Sequence, residues 1–87
     1  MSVKKLRGVN VPYKKQLLIR AICLNYNDRP QREREKIDRL CLRCGGEYHE
    51  ALFRVMTTQD SIVSIAQRYY VSEGTLYRIR KKFYEEW

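Results

Sequence analysis

With 87 residues, 44% of them hydrophobic and 11% aromatic, the chain has material for one small core and too little for two domains, and its seven tyrosines argue against disorder. A net charge of +8 and a sequence pI of about 9.7 direct attention to a polyanionic partner. No run of about 18 apolar residues and no apolar secretory segment is present, and three cysteines fit a reducing compartment better than a disulfide framework, so the expectation is a cytoplasmic protein without a membrane-spanning helix.

The charge is unevenly spread. Residues 1–44 hold twelve Lys or Arg against four acids, and residues 45–87 hold six of each. Residues 1–11 lack a helical period and carry Lys4, Lys5 and Arg7, which predicts a flexible basic arm followed by a single helical domain over residues 12–87. Arms of this kind enter DNA minor grooves, but fraying is commoner, and these three cations stay out of the candidate site.

Pro12, with Asn10 as a nearby cap, opens a first helix predicted over Tyr13–Tyr26. Leu17, Leu18, Ala21, Ile22 and Leu24 are its expected inner stripe, with Lys14, Lys15 and Arg20 opposite. Asn27-Asp28-Arg29-Pro30 breaks it. A second helix, about Gln31 to Cys44, starts with the charged tract Gln31–Lys36 and continues as the apolar stripe Ile37, Leu40, Cys41 and Cys44. In the tract Glu35 and Arg39 form a favourable pair worth ~0.3 kcal/mol, and Arg32 and Lys36 repel. Gly45-Gly46 ends the helix by taking left-handed dihedrals. A third, about Glu47 to Met56, places Tyr48, Ala51, Leu52, Val55 and Met56 on one face, after which Thr57, Thr58 or Asp60 is expected to cap the next helix.

Cys41-x-x-Cys44, with Cys23 and His49, offers the ligand types of a tetrahedral zinc site. The competing reading is core packing, because Ile37, Leu40, Cys41 and Cys44 continue one helical stripe and no second Cys-x-x-Cys or His pair exists. Core packing is preferred, and no metal or cofactor is expected. His49 has no Ser or Asp partner that sequence can place beside it, and there is no glycine-rich phosphate loop, so an enzyme is not expected.

Residues 61–86 have the pattern of a helix-turn-helix. Ile65 and Tyr69 fall one turn apart on a first helix, and Leu76, Ile79 and Phe83 face inward on a second; Val71 plugs the turn and Ala66 sits at the crossing, where a larger side chain would hold the helices apart. Ser72 is the expected cap of a second helix that begins at Glu73 and runs to Tyr84. An amphipathic hairpin with no ligand would share the stripes. The small, plug and cap residues together favour DNA. The terminal Phe83, Tyr84 and Trp87 either fold back on the first helix or join two copies, with a slight preference for the dimer contact.

The runs Ser64-Ile65-Ala66-Gln67-Arg68 and Val71 to Lys82 resemble the helix-turn-helix of sigma-factor region four and of phage-type regulators such as the RinA/ArpU-like activators of late transcription. In that family the turn position held here by Tyr70 is usually Gly, a departure that leaves room for a wider turn. The resemblance implies a sequence-specific transcriptional regulator, phage or mobile-element encoded, with RNA polymerase as a second partner.

The expectation is therefore an all-α protein, a small helical bundle of about five helices, that binds double-stranded DNA. Ser72, Glu73, Thr75, Tyr77 and Arg78 are the candidate base-edge residues, and Arg68, Lys81 and Lys82 the candidate phosphate contacts. A homodimer would bury more apolar surface than so short a chain does alone. The rival expectation is a protein-interaction module on a helix-turn-helix scaffold, and a zinc-dependent regulator is the third.

Overall fold

A computed structural model describes residues 9–87, and the segment holding Lys4, Lys5 and Arg7 lies outside the described residues. The fold is all-α: α1 (Tyr13–Leu24), α2 (Gln31–Gly45), α3 (His49–Thr57), α4 (Ile62–Tyr69) and α5 (Glu73–Glu86), with single 3-10 turns at Tyr26–Asp28 and Gly46–Tyr48.

The short α3 is the hub, packed against α1, α2, α4 and α5. Ala51, Leu52, Val55 and Met56 are all buried, as their 3.6-residue spacing requires. On α2 the stripe Ile37, Leu40, Cys41 and Cys44 is buried as expected. Gly45 remains helical, and a Cβ there would meet Leu52 at 3.4 Å, so glycine permits the close approach of α2 to α3. Of the two glycines only Gly46 has positive φ, 56° with ψ −123°, a combination essentially restricted to glycine.

Two expectations are corrected at the start of the chain. Residues 9–11 are not free. Val9 and Val11 are buried, the Asn10 N–H donates to Glu85 Oε2 at 3.0 Å rather than Asn10 capping α1, and Gln16 Nε2 donates to the Val11 carbonyl at 2.8 Å. The inner face of α1 is also different from the expected one: Gln16, Ile19 and Cys23 are buried, whereas Leu18 is 58% exposed and Ala21 lies outside. Arg20, expected on the solvent face, instead turns inward. Its Nη1 donates to the carbonyls of Val55 (2.6 Å) and Met56 (2.9 Å), and its Nη2 to that of Thr58 (2.9 Å). These are carbonyls a helix C-terminus leaves without intrahelical partners, at its negative dipole end.

The remaining differences are local. α1 ends at Leu24, where the Asn25 N–H is shared between Ala21 O and Ile22 O (3.2 Å each) and Asn25 Nδ2 donates to Ala21 O at 2.7 Å. In the charged tract Arg29 makes a two-pronged pair with Glu33 (2.8 and 3.0 Å), Glu35 accepts from Gln31, and Lys36 stands 4.1 Å from the centre of the Trp87 ring. Thr57 and Thr58 donate their hydroxyls to Phe53 O and Arg54 O, and Asp60 faces Arg54 at 3.5 Å, so none of the three caps α4. Ser61 does, accepting the Ser64 N–H at 3.1 Å.

The C-terminal aromatics pack within the chain. Phe83 and Tyr84 are buried, and Trp87 lies 6.0 Å from the Phe83 ring and against Lys36 of α2, so the expectation that these side chains join two copies gives way to core packing. Among the described residues no helix is long and apolar enough to cross a membrane.

Candidate nucleic-acid interface

The helix-turn-helix is built by three local devices. Tyr70 takes left-handed dihedrals (φ 55°, ψ 45°) without a glycine, and the Val71 N–H closes the end of α4 on Ala66 O at 3.0 Å, so the turn stays tight at three residues rather than widening. Val71 is buried as the plug. Ser72 Oγ accepts the Thr75 N–H at 3.1 Å and donates to Thr75 Oγ1 at 2.8 Å, which caps α5 and fixes its start at Glu73. Glu73 then lies in the first turn, where a carboxylate is stabilised by the positive end of the helix.

Leu76, Ile79, Phe83 and Tyr84 hold α5 to the bundle, with Ile65 and Ala66 buried on the α4 side. At 100° per residue those anchors leave an outward arc from Tyr77 through Lys81, Arg78 and Lys82 to Thr75. Tyr77, Arg78, Lys81 and Lys82 are exposed, as are Arg68, Ser72 and Glu73, and Thr75 is half-buried. The outward face therefore carries three cations and a phenol on one rigid helix.

The eight expected residues do not act as one cluster. Arg78, Lys81 and Lys82 line a single cleft between α5 and the C-terminal end of α2. Arg68 stands apart on α4. Ser72 and Thr75 are occupied with each other, so their hydroxyls serve the cap. Tyr77 lies on the opposite flank beside Arg80, whose guanidinium carbon is 5.1 Å from the ring centre. Arg80 itself is half-buried, its Nε has no hydrogen-bond partner, and burial pushes its pKa down, with repulsion from Arg20 acting in the same direction. Tyr84 and Tyr77 oppose that shift.

Two residues of this region were missed in sequence. Arg20 braces the end of α3 immediately before the turn into α4. Arg43 reaches the α5 cleft from α2, its Nε 2.9 Å from Glu86 Oε1. Neither has a signal in the linear pattern, because both act on elements distant in the chain.

Cys23, Cys41 and Cys44 are buried free thiols, which is the core-packing expectation. Burial pushes the Cys23 and Cys41 thiols up to about 12 and that of Cys44 up to about 11. His49 Nδ1 lies 3.0 Å from Gly46 O. Among the described residues no group of three or more His, Cys, Asp or Glu is placed to hold a metal ion.

A second concavity, about 380 Å³, opens between α2, α3 and the end of α4, with Leu42, Phe53 and Tyr69 as walls and Asp38, Glu50 and Arg54 at its edge. Fold and site together define a small helical bundle carrying a cation-faced helix-turn-helix. Comparison with family models, with curated proteins and with solved structures finds no match to this chain.

Proposed function

We propose that this chain binds double-stranded DNA sequence-specifically through α5 and acts as a transcriptional regulator, of phage or mobile-element type, in the cytoplasm. The observation that carries this reading is the division of α5: Leu76, Ile79 and Phe83 are buried, while Tyr77, Arg78, Lys81 and Lys82 are exposed on the opposite arc. A helix is ~10–12 Å across with its side chains and the major groove of B-DNA is ~12 Å wide, so α5 fills the groove and sets its flanks against the two phosphate walls.

In that pose Arg78 is the base reader, because its planar fork bonds guanine O6 and N7 together. Glu73, Tyr77 and Thr75 lie near base edges, and Ser72 contributes by holding the first turn of the helix in place. Lys81, Lys82 and Arg68 neutralise phosphates. Arg78→Ala should lose ~1–3 kcal/mol of binding at one base position and relax discrimination there, whereas Lys81→Ala should weaken all sequences alike and flatten the salt dependence by about 0.9. Quantitative gel-shift titrations over a panel of point-altered sites measure both. Unchanged discrimination in R78A would remove Arg78 from the base-reading role.

The second reading is a protein-interaction module, with RNA polymerase as one candidate partner, favoured by the apolar walls Leu42, Phe53 and Tyr69 and by Leu42 being 56% exposed. Such a module binds its partner with equal affinity whether or not random-sequence duplex is added.

A further inference from the structure

We propose that the cleft between the end of α2 and α5 is a second track for DNA phosphates, with Arg43 as its outer wall. This deepens the DNA-binding reading and rests on it. The cleft, about 610 Å³, is lined by Arg78, Lys81 and Lys82 from α5 and by Arg43 from α2, against the two acids Glu47 and Glu85. Glu85 already accepts the Asn10 N–H at 3.0 Å. The last turn of α2 also presents carbonyls, equivalent to roughly half a negative charge. With Glu86, which pairs with Arg43, four cations stand against three carboxylates and that half charge, which leaves the cleft positive by only about half a charge.

Position argues for phosphate over an acidic peptide. Arg78 and Lys82 belong both to the outward arc of α5 and to this cleft, so a duplex strand flanking α5 passes directly over it. Packed helices lie ~8–10 Å apart, and Arg43 therefore extends the cation row about one helix spacing beyond α5. Arg43 is also held in place. Its side chain is 71% exposed, yet its Nε is fixed 2.9 Å from Glu86 Oε1, and Glu86 is itself turned toward α2, where it accepts from Cys44 Sγ at 3.7 Å. A guanidinium has five N–H donors, so one bond to Glu86 leaves others for an incoming phosphate.

The test is the dependence of duplex affinity on salt for four versions of the 87-residue chain: the parent, Arg43→Ala, Arg43→Lys and Arg39→Ala. Arg39 is an exposed cation of α2 bordering a different cleft, beside Trp87, and matches R43A in net charge. Loss of one phosphate contact should make the slope of log K against log salt shallower by about 0.9, an affinity loss of about eight-fold at ~0.1 M salt, with the ranking of DNA sequences unchanged. R43K and R39A should keep the parental slope. If R43A keeps it as well, or if R39A flattens it equally, the cleft is not a phosphate track, although the α5 reading stands. Failure of the parent to bind any duplex overturns both.

Discussion

Replacing Arg20 by Met tests whether a single half-buried guanidinium ties the helix-turn-helix to the rest of the bundle. Its three bonds, at 2.6, 2.9 and 2.9 Å, satisfy the last carbonyls of α3 just ahead of the turn into α4. Hydrogen bonds from charged donors contribute ~1.5–3 kcal/mol each. The site is only partly buried, so water takes over some of these carbonyls in the variant and ~1 kcal/mol per bond is the better figure, about 3 kcal/mol in all. Removing Arg20 also relieves its repulsion of Arg80, which returns under ~1 kcal/mol and leaves a net loss of ~2–3 kcal/mol. A chain of this length has ~4–13 kcal/mol in total, so the loss is large, and at ~4–8 °C per kcal/mol it lowers Tm by roughly 10–20 °C. Urea unfolding followed by the fluorescence of Trp87, the sole tryptophan, reads it out. Arg20→Lys keeps the charge without the fork and should fall between parent and R20M, while Lys14→Met, exposed on the same helix, should stay within ~0.5 kcal/mol. An R20M midpoint equal to that of K14M would refute the bracing role.

Further outcomes follow from individual sites. Tyr70→Gly removes a left-handed penalty of ~1–2 kcal/mol from a side chain that is 94% exposed, at an entropic cost of ~0.5–1 kcal/mol, and should raise stability by about 0.5–1 kcal/mol; a lower denaturation midpoint would show that the side chain, not the backbone, dominates there. Gly46→Ala meets no atom within 4 Å yet forces a φ of 56° with ψ −123°, so a loss of ~1–3 kcal/mol is expected, and an unchanged midpoint would mean the turn relaxes freely. The thiols set an alkaline limit. Above about pH 9 the unfolded chain releases protons that folded Cys23 and Cys41 retain up to about 12, so stability is intact below pH 9 and falls by ~1.4 kcal/mol per thiol per pH unit above it. Cys23→Ala should show a shallower decline between pH 9 and 11 than the parent, and parallel curves would assign the decline to other groups.

What could be read from sequence, and what could not, divides along a physical line. Where one face of a helix is apolar and the other polar, the pattern is unambiguous: Ile37, Leu40, Cys41 and Cys44 on α2, Ala51, Leu52, Val55 and Met56 on α3, and Leu76, Ile79 and Phe83 on α5 are all buried. Cap chemistry was equally legible at Ser72, whose hydroxyl directly precedes the first residue of α5. α1 misled because apolar residues occur nearly all round it. Gln16 and Arg20 point inward for the sake of carbonyls on other segments, and those partners lie five residues away for Gln16 and more than thirty for Arg20. Asp60 lost the cap to Ser61 for a similar reason, being drawn to Arg54 instead. The α5 cations could be placed on the outward arc from spacing alone. Arg43 could not, because its proximity to α5 depends on how closely α2 and α3 pack at Gly45.

The most direct measurement is selection of bound fragments from a pool of random duplexes by the purified 87-residue chain, followed by affinity titration of the enriched sequence against a scrambled one across salt concentrations. If α5 reads the major groove, one motif is enriched, it binds at least about a thousand-fold tighter than the scramble, and R78A loses preference at a single base pair of it. Enrichment of no motif, with equal and weak binding to every duplex, would contradict the DNA-reading role of α5.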